Sequence, residues 1–308
     1  MIIVFGSLNT DICFDVSHFP QPGETVTGET YHMAYGGKGA NQALAATRMG
    51  AKTALVGCVG EDGMGVRIRN GMKREGVMVS GVAESETHPT GLAMITRDEN
   101  GENNIMVAGG ANLDAREDQV PDNILKTGNI LLMQMEVPAD EVFKLAARAK
   151  ENGARVMLNL APMRKIREEQ LDHIDDLLLN EIEARQLAGH LKLKNTEAPE
   201  EIAKEIASTR GLNCIITCGA DGVHAATKDG EYHHLKPPAL DKIVDTTGAG
   251  DVFCGTYAAC IHNGKGFVSA LQHAVAAGTL ACTKMGAQDA IPYSGDVQDY
   301  IEQVEIVN

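Results

Sequence analysis

Short apolar runs alternate with helical patterns from about residue 128 onward, and this alternation constrains the fold more than any other feature of the sequence. The apolar runs span residues 130–135, 155–160, 177–179 and 214–217, and helical patterns begin at Asp140 and Glu181. Parallel strands need long crossover connections, which are usually helices. The alternation therefore predicts an α/β protein with a mostly parallel sheet that helices cover on both faces.

The first half of the chain predicts a second, smaller sheet. Residues 2–5 are typical of a buried strand and residues 39–49 of a helix. Four segments of alternating polar and apolar residues predict half-exposed strands, at 11–18, 25–33, 91–96 and 104–108. Asp98-Glu99-Asn100-Gly101 has the composition of a hairpin turn between the last two segments.

The composition fits one globular domain. Of the 308 residues, 44% are hydrophobic and 33 are glycines, which is typical of a soluble protein rich in turns. We expect a single domain over residues 1–308, with the small sheet inserted from about 11–35 and 90–109. Such an insertion suits a lid over a site at the carboxyl ends of the main strands.

Charge and cysteine content exclude several classes of protein. The formal net charge of -15 disfavours nucleic acid and anionic membranes as partners, because proteins that bind them usually carry a basic face. The seven cysteines are scattered and form no CxxC pair, so we expect reduced thiols and neither disulfides nor a cysteine zinc site. No apolar run approaches the roughly eighteen residues that span a bilayer, and no signal peptide is visible, which predicts a cytoplasmic location.

The run Asp245-Thr246-Thr247-Gly248-Ala249-Gly250-Asp251 precedes a helical pattern and suits phosphoryl transfer. Its Gly-Ala-Gly turn allows backbone N–H groups to converge on an anion, and the helix adds the positive end of its dipole. Asp251 could take a proton from an attacking hydroxyl. A helix cap at Asp251 with a tight glycine turn is the alternative, but the whole run favours Asp251 as a catalytic base and Gly248, Ala249 and Gly250 as an anion-binding turn.

Gly36-Gly37-Lys38-Gly39-Ala40-Asn41-Gln42 also places flexible backbone at the start of a helix. The segment is not a Walker A loop, because no Ser or Thr follows Lys38, and it is not a GxGxxG loop, because Gln42 occupies the last glycine position. Its glycines allow close approach, and Lys38 and Asn41 are donors suited to a polyhydroxylated ligand. A simple strand-to-helix reversal explains the segment equally well.

Polar residues follow three predicted strands, where α/β proteins bind ligands. Asn9 and Asp11 are one alternation apart and could face the same side, although a turn capped by these side chains is the interpretation that they favour alone. Glu136 is either a ligand carboxylate or a solvated loop charge. Asn180 and Glu183 suit Mg²⁺, and they equally suit the cap and first turn of the next helix.

Taken together, these motifs resemble the PfkB family of carbohydrate kinases, and within it the ribokinase branch, over nearly the whole chain. Residues 57–65 resemble the N-terminal signature of the family and residues 245–251 its C-terminal one. Similar segments also occur, in the order of the family, at 36–42, 109–112, 132–136, 180–183 and 286–288. The resemblance implies a ribokinase-like three-layer α/β/α sandwich with a mostly parallel central sheet and a small β-sheet lid.

The resemblance also implies roles for single residues. Sugar hydroxyls would be held by Asn9, Asp11, Gly37, Lys38, Asn41 and Glu136, with Asp251 as the base. The nucleotide would contact Asn180, Thr217, Gly219, Gly222, Gly248 and Gly250. Asn180 and Glu183 would organise Mg²⁺ through water, and a monovalent cation, K⁺, would lie at Asp245, Thr247, Lys284 and Gly286.

The activity implied by the resemblance is ATP-dependent phosphorylation of the terminal hydroxyl of D-ribose to D-ribose 5-phosphate. ATP, Mg²⁺ and K⁺ would be required. Lid strands of this branch pair between subunits, which implies a homodimer. Two alternatives stay open: a kinase of the same family that acts on fructose, 2-keto-3-deoxygluconate or a nucleoside, and a non-catalytic sugar sensor that kept the fold.

Overall fold

Fourteen strands and eight α-helices form the part of the chain that a computed structural model describes, residues 1–99 and 102–307. The first half contains β1 (Ile2–Phe5), β2 (Asn9–Asp15), β3 (Tyr31–Gly36), α1 (Lys38–Arg48), β4 (Thr53–Gly60), α2 (Gly63–Arg74), β5 (Met78–Ser85), β6 (Gly91–Arg97), β7 (Asn103–Ala108), β8 (Ile130–Met133) and α3 (Ala139–Glu151). The second half contains β9 (Arg155–Asn159), β10 (Asp176–Asn180), α4 (Glu181–Leu191), α5 (Pro199–Arg210), β11 (Asn213–Thr217), β12 (Val223–Ala226), β13 (Tyr232–Lys236), α6 (Ala249–His262), α7 (Phe267–Ala281), α8 (Ser294–Ile301) and β14 (Glu305–Ile306).

The main sheet has ten strands in the order β14-β13-β12-β11-β10-β9-β8-β1-β4-β5. All neighbours from β5 to β11 pair in parallel, and β12, β13 and β14 extend the sheet in antiparallel fashion. One face carries an apolar cluster with α1, α2, α6, α7 and α8, and the other face carries a second cluster with α3, α4 and α5. The predicted three-layer α/β/α architecture is therefore confirmed.

A separate four-stranded sheet has the order β3-β2-β6-β7. β2 pairs antiparallel with β3 and parallel with β6, and β6 pairs antiparallel with β7. The strand predicted at 25–33 begins only at Tyr31, because Tyr31 pairs with Phe14 and β2 ends one residue later, so that residues 25–30 have no strand opposite them. Asn100 and Gly101 of the predicted hairpin turn lie outside the described residues.

Asp62 links α2 to the base of the small sheet. Its Oδ1 accepts hydrogen bonds from the N–H groups of Met64 and Gly65 at 3.0 and 2.8 Å and so caps α2. Thr90, which directly precedes β6, donates to the same carboxylate from its N–H at 2.8 Å and from its hydroxyl at 2.7 Å. Part of the signature at residues 57–65 thus fixes the point where the inserted strands leave the core.

All seven cysteines are free, as predicted. Among the described helices, none is long and apolar enough to cross a bilayer.

Candidate active site

Polar residues from five strands converge at one edge of the main sheet. β1, β8, β9, β10 and β11 are parallel neighbours, so their carboxyl ends share this edge. The N-termini of α1 and α6 lie at the same edge, since Asn41 and Gln42 of α1 donate hydrogen bonds to Asp251 of α6. The fold therefore brings together segments that are distant in the sequence, since Asn41 and Asp251 are 210 positions apart.

Asp251 is buried, with 6% of its surface exposed, and two side-chain amides hold its carboxylate. Asn41 Nδ2 donates to Oδ2 at 3.0 Å and Gln42 Nε2 donates to Oδ1 at 2.9 Å. Burial raises the pKa of Asp251, and the charge of Lys38 and the two amide donors offset only part of the rise. The cap of α6 is Gly248, so the capping interpretation of Asp251 is wrong. A fixed carboxylate with a raised pKa can act as a general base.

The turn that begins α6 offers fewer backbone donors than the sequence suggests. Gly248 has a φ of +76°, a conformation that glycine adopts without strain. The N–H of Ala249 donates to the carbonyl of Thr246 at 3.2 Å, so this donor is engaged within the turn. The N–H groups of Gly250 and Asp251 lie in the first helical turn and have no partner within the helix. They are the donors that the turn can offer to an anion.

Asn9 and Asp11 lie on β2 and not in a turn, so the turn interpretation of this pair is wrong. Two positions apart on a strand, their side chains share one face of the small sheet. Asn112 Nδ2 donates to Asn9 Oδ1 at 2.7 Å, and Asn112 Oδ1 accepts a hydrogen bond from the N–H of Leu8 at 2.9 Å. Because its oxygen is engaged, Asn9 has its amide N–H groups to offer to a ligand.

The carboxylate of Asp11 lies against Gly36, where a Cβ atom would come within 2.1 Å of Asp11 Oδ2. Within the described part of the chain, Asp11 Oδ1 and Asn41 Oδ1 are buried without a hydrogen-bond partner. Burial raises the pKa of Asp11 to about 7, and the negative charges of Glu136 and Asp251 add to the rise. Buried acceptors without partners cost free energy, which hydroxyl groups of a ligand would recover.

Glu136 joins three segments at the sheet edge. Its Oε2 accepts hydrogen bonds from the hydroxyl of Ser7 at 2.5 Å and from the N–H of Lys38 at 3.1 Å. Glu136 is thus half-buried and bonded, and is not a solvated loop charge. The pKa of the Lys38 ammonium is raised chiefly by the charge of Asp251, which outweighs burial, with Glu136 and Glu183 contributing. A cation is therefore held among the carboxylates of the site.

A chain of buried amides behind Asp251 was not predicted. Gln134 Nε2 donates to Gln42 Oε1 at 2.6 Å, and Gln42 Nε2 is shared between Asp251 Oδ1 at 2.9 Å and Asn159 Oδ1 at 3.1 Å. From the sequence, Gln42 is visible only as a mismatch to a glycine motif. Gln134 and Asn159 could have been found from their positions in the sequence. Gln134 follows β8 directly and Asn159 ends β9, at the edge of the sheet where Glu136 also lies.

Two adjoining cavities open at this edge. The larger has a volume of about 610 Å³, and its lining is mainly apolar, with Val223, Leu240, Ile243, Phe253 and Val275. The smaller has a volume of about 290 Å³ and is lined by polar groups that include Lys38, Asn159, Asn180, Glu183 and Asp251. Thr217 and Gly250 line both cavities, and Gly219 and Gly222 line the larger one. An apolar chamber that opens into a polar one suits a nucleotide base followed by its phosphates.

Asn180 and Glu183 form a capping box at the start of α4. The N–H of Glu183 donates to Asn180 Oδ1 at 2.8 Å, and the N–H of Asn180 donates to Glu183 Oε2 at 2.9 Å. The capping interpretation is confirmed. Burial raises the pKa of Glu183, against the opposing effects of the Asn180 bond and the Lys38 charge. Because each oxygen keeps a free lone pair, capping is compatible with a role toward Mg²⁺.

Asp245 joins the two segments predicted to hold a monovalent cation. Its Oδ1 accepts hydrogen bonds from the N–H and hydroxyl of Thr247 at 2.9 and 2.6 Å, and its Oδ2 accepts one from the N–H of Gly286 at 2.9 Å. Burial favours the neutral acid, but these hydrogen bonds outweigh it and lower the pKa of Asp245. Lys284 lies two residues before Gly286, and its N–H donates to the carbonyl of Ala281 at 3.2 Å.

Comparison with known proteins identifies the family. The family model described as pfkB family carbohydrate kinase matches residues 1–293. The chain belongs to this family of kinases, as its motifs predict. A ribokinase of Haemophilus influenzae is 38% identical over 307 residues, which cover 98% of this chain and 98% of that protein.

Solved structures agree with the fold. The crystal structure of ribokinase from Thermotoga maritima matches with a TM-score of 0.89 at 32% identity. The match covers 98% of this chain and 99% of the Thermotoga chain. The structure of Arabidopsis thaliana ribokinase complexed with ribose and ATP has a TM-score of 0.88 at 31% identity and covers 98% of each chain. The predicted ribokinase-like fold is therefore confirmed.

Proposed function

We propose that the chain catalyses the ATP-dependent phosphorylation of D-ribose at its terminal hydroxyl, giving D-ribose 5-phosphate, with Asp251 as the catalytic base. The ribokinase relatives, one of them solved with ribose and ATP, support this choice of substrates. The observation that carries the proposal is the buried Asp251 at the wall of the polar cavity, beside the unpaired oxygens of Asp11 and Asn41.

The sugar would lie between β2 and the start of α1. Asp11 and Asn41 would accept hydrogen bonds from its hydroxyls, and Asn9 and Lys38 would donate to its oxygens. Gly37 and Glu136 would complete this surface. Gly37 has a φ of +88°, and a Cβ there would lie 2.8 Å from the N atom of Asn9, so only glycine allows this approach.

The terminal hydroxyl would then face Asp251. Asp251 takes the hydroxyl proton while the oxygen attacks the γ-phosphorus of ATP in line; the new O–P bond forms as the bond to the β-phosphate oxygen breaks, and ADP leaves. The first-turn N–H groups of α6 and the ammonium of Lys38 stabilise the charge on the transferred group. The adenine would occupy the apolar cavity, beside Thr217, Gly219 and Gly222.

Two sets of residues suit the two cations, Mg²⁺ and K⁺. Asn180 and Glu183 present oxygen atoms at the wall of the polar cavity and would hold Mg²⁺ through water molecules. The bound ion would neutralise charge on the phosphates of ATP. Asp245, Thr247, Lys284 and Gly286 would hold K⁺ or a similar ion. The lowered pKa of Asp245 supports this, because an ionised carboxylate keeps the two backbone segments at a fixed spacing.

We further propose that the four-stranded sheet forms the lid of the single kinase domain and the contact of a homodimer. β7 is exposed along its whole length, including the apolar side chains of Ile105, Met106 and Val107. An exposed apolar strand is a favourable surface for pairing with another copy. Sedimentation at micromolar concentration should give twice the mass of one chain.

A substrate panel tests the proposed function. The chain is assayed for ADP release with Mg²⁺, K⁺ and ATP, and with D-ribose, D-fructose, 2-keto-3-deoxygluconate or a purine nucleoside as acceptor. We expect the highest kcat/KM with D-ribose. A preference for another acceptor would move the assignment within the family, and no acceptor-dependent ADP release would favour the sugar sensor.

The raised pKa of Asp11 predicts a pH-dependent stability. Its pKa is about 7 in the folded chain against an ordinary value of 3.8, so between these values the folded state binds a proton that the unfolded state has lost. The contribution of Asp11 to stability therefore falls as pH rises through this window and levels off above about pH 7. Asp11→Asn should raise the thermal midpoint at about pH 8 and change it little at about pH 4.

Calorimetry of the ligand-free chain measures this effect. Asp172→Asn is the matched control, because Asp172 is exposed and its loss should change the midpoint equally little at both pH values. An equal shift at both pH values for Asp11→Asn would contradict the raised pKa.

A further inference from the structure

Three potential metal ligands meet beside the larger, apolar cavity. Asp221 lies in the loop after β11, His224 lies on β12 and His234 lies on β13, and their ligand atoms are all within 4.8 Å of one another. The cluster has no sequence motif, because antiparallel pairing creates it: His224 and His234 are direct partners in the β12–β13 register. None of the three is part of the proposed kinase chemistry.

Both imidazoles direct a nitrogen at the same carboxylate. Their rings stack with centroids 4.2 Å apart and an interplanar angle of 15°. His224 Nε2 lies 3.0 Å from Asp221 Oδ2, and His234 Nε2 lies 3.9 Å from Asp221 Oδ1. His234 Nε2 also lies 2.9 Å from the backbone carbonyl of Asp221. The two Nε2 atoms and the carboxylate thus line one small space.

The surroundings of the cluster suit a metal ligand set. His224 Nδ1 lies 2.7 Å from the hydroxyl of Tyr232, and metal-bound histidines usually hydrogen-bond through their second ring nitrogen. His224 is buried, whereas 60% of the Asp221 side chain is exposed. One ligand is therefore held in place by its neighbours, and an ion can reach the cluster from solvent.

We propose that Asp221, His224 and His234 bind a divalent transition metal ion such as Zn²⁺. Two imidazoles, one carboxylate and one open position form a ligand set that Zn²⁺ accepts and Mg²⁺ does not favour. Ligand atoms of a tetrahedral zinc ion lie about 3.3 Å apart. His224 and Asp221 are already this close, and the exposed carboxylate of Asp221 can move to bring His234 into range.

Binding needs a change of tautomer, movement of the Asp221 carboxylate and rotation of the two stacked rings, so that both Nε2 lone pairs point at the ion. Each neutral imidazole would give its Nε2 lone pair to the ion and carry its proton on Nδ1, where His224 then donates to the Tyr232 oxygen. The ion would connect β12 and β13 to the loop at residues 218–222, in which the N–H of Asp221 donates to the Cys218 carbonyl and that of Gly222 to the Gly219 carbonyl, both at 3.0 Å. An ion bound only by the folded chain stabilises it.

Titration of the chelator-treated chain with Co²⁺ and Zn²⁺ tests the proposal. We expect one Co²⁺ per chain with visible absorption typical of a low-coordinate site, its displacement by Zn²⁺, and a higher thermal midpoint with Zn²⁺. His224→Gln and His234→Gln should abolish all three effects. His233→Gln is the matched control, because His233 neighbours His234 on β13 with its side chain on the opposite face, and it should bind as the wild type does. Excess Mg²⁺ should not displace the ion.

Three outcomes would overturn the proposal: no binding by the wild type, binding that survives in both His→Gln variants, or equal loss in His233→Gln. Circular dichroism shows whether the variants fold, and sugar-dependent ADP release in Mg²⁺ and K⁺ without a transition metal is measured separately, so that the proposed function and the metal site can fail separately. Should one variant not fold, the other variant decides, together with the imidazole NMR signals of the wild type, which should shift with Zn²⁺ and stay unchanged if no ion binds.

Discussion

Asp251→Asn is expected to lower kcat by roughly 10²- to 10⁴-fold while the binding of D-ribose changes little. Asparagine has the same size, and its oxygen can still accept a hydrogen bond from Asn41 or Gln42, so the site keeps its shape. It cannot take the proton of the attacking hydroxyl. The loss should therefore appear in the chemical step and not in the sugar affinity.

Steady-state kinetics and calorimetric titration with D-ribose in the absence of ATP separate these two quantities. Asp172→Asn serves as the control for the substitution itself, since Asp172 is exposed and should retain wild-type kcat. If Asp251→Asn kept a near-normal kcat, Asp251 would not be the base.

Gln42→Met should lower both the stability and the activity of the chain. Methionine has nearly the size of glutamine but offers no hydrogen bond, so Asp251 Oδ1 and the side chains of Gln134 and Asn159 each lose a partner. Each buried group left unpaired costs about 1–3 kcal/mol. Gln42 donates to the ionised form of Asp251, so its loss should raise the pKa of Asp251 further.

The diagnostic measurement for Gln42 is the pH profile of kcat/KM. We expect the acid limb of the profile to move to higher pH in Gln42→Met, because Asp251 must be ionised to act as a base. Gln186→Met, at an exposed position of α4, should keep the wild-type profile. Gln134→Met removes the outer amide without touching Asp251 and should destabilise the chain with a smaller shift of the limb. An unchanged limb in Gln42→Met would reduce Gln42 to a structural role.

Part of the parallel sheet was predictable because some of its strands are continuous apolar runs followed by a helix, as in β8 with α3 and β10 with α4. β5, which mixes polar and apolar residues, was not predicted. Nor was the antiparallel extension. β13 carries the half-buried histidines 233 and 234, and β14 has only two residues, so neither shows an apolar run that marks a buried strand. Their position depends on pairing with β12 and not on local sequence.

The position of the candidate site was predictable where its residues lie near the ends of strands or in glycine-rich turns, as Asn9, Glu136 and Gly250 do. Roles that depend on contacts across the chain were not. Gln42 reaches Asp251 from 209 positions away, and Asn112 reaches Asn9 from 103 positions away, so no local pattern could assign their partners. The engaged N–H of Ala249 likewise depends on the exact path of the turn, which composition does not determine.

The identity of the product tests most directly whether the chain phosphorylates the terminal hydroxyl of D-ribose. The chain is incubated with ATP, Mg²⁺, K⁺ and D-ribose, and the new phosphomonoester is examined by ³¹P–¹H correlation NMR. We expect one sugar phosphate whose phosphorus couples to the two protons on C5, formed by the wild type and not by Asp251→Asn on the same time scale. Coupling to the C1 proton, or ADP release without any sugar phosphate, would contradict this expectation.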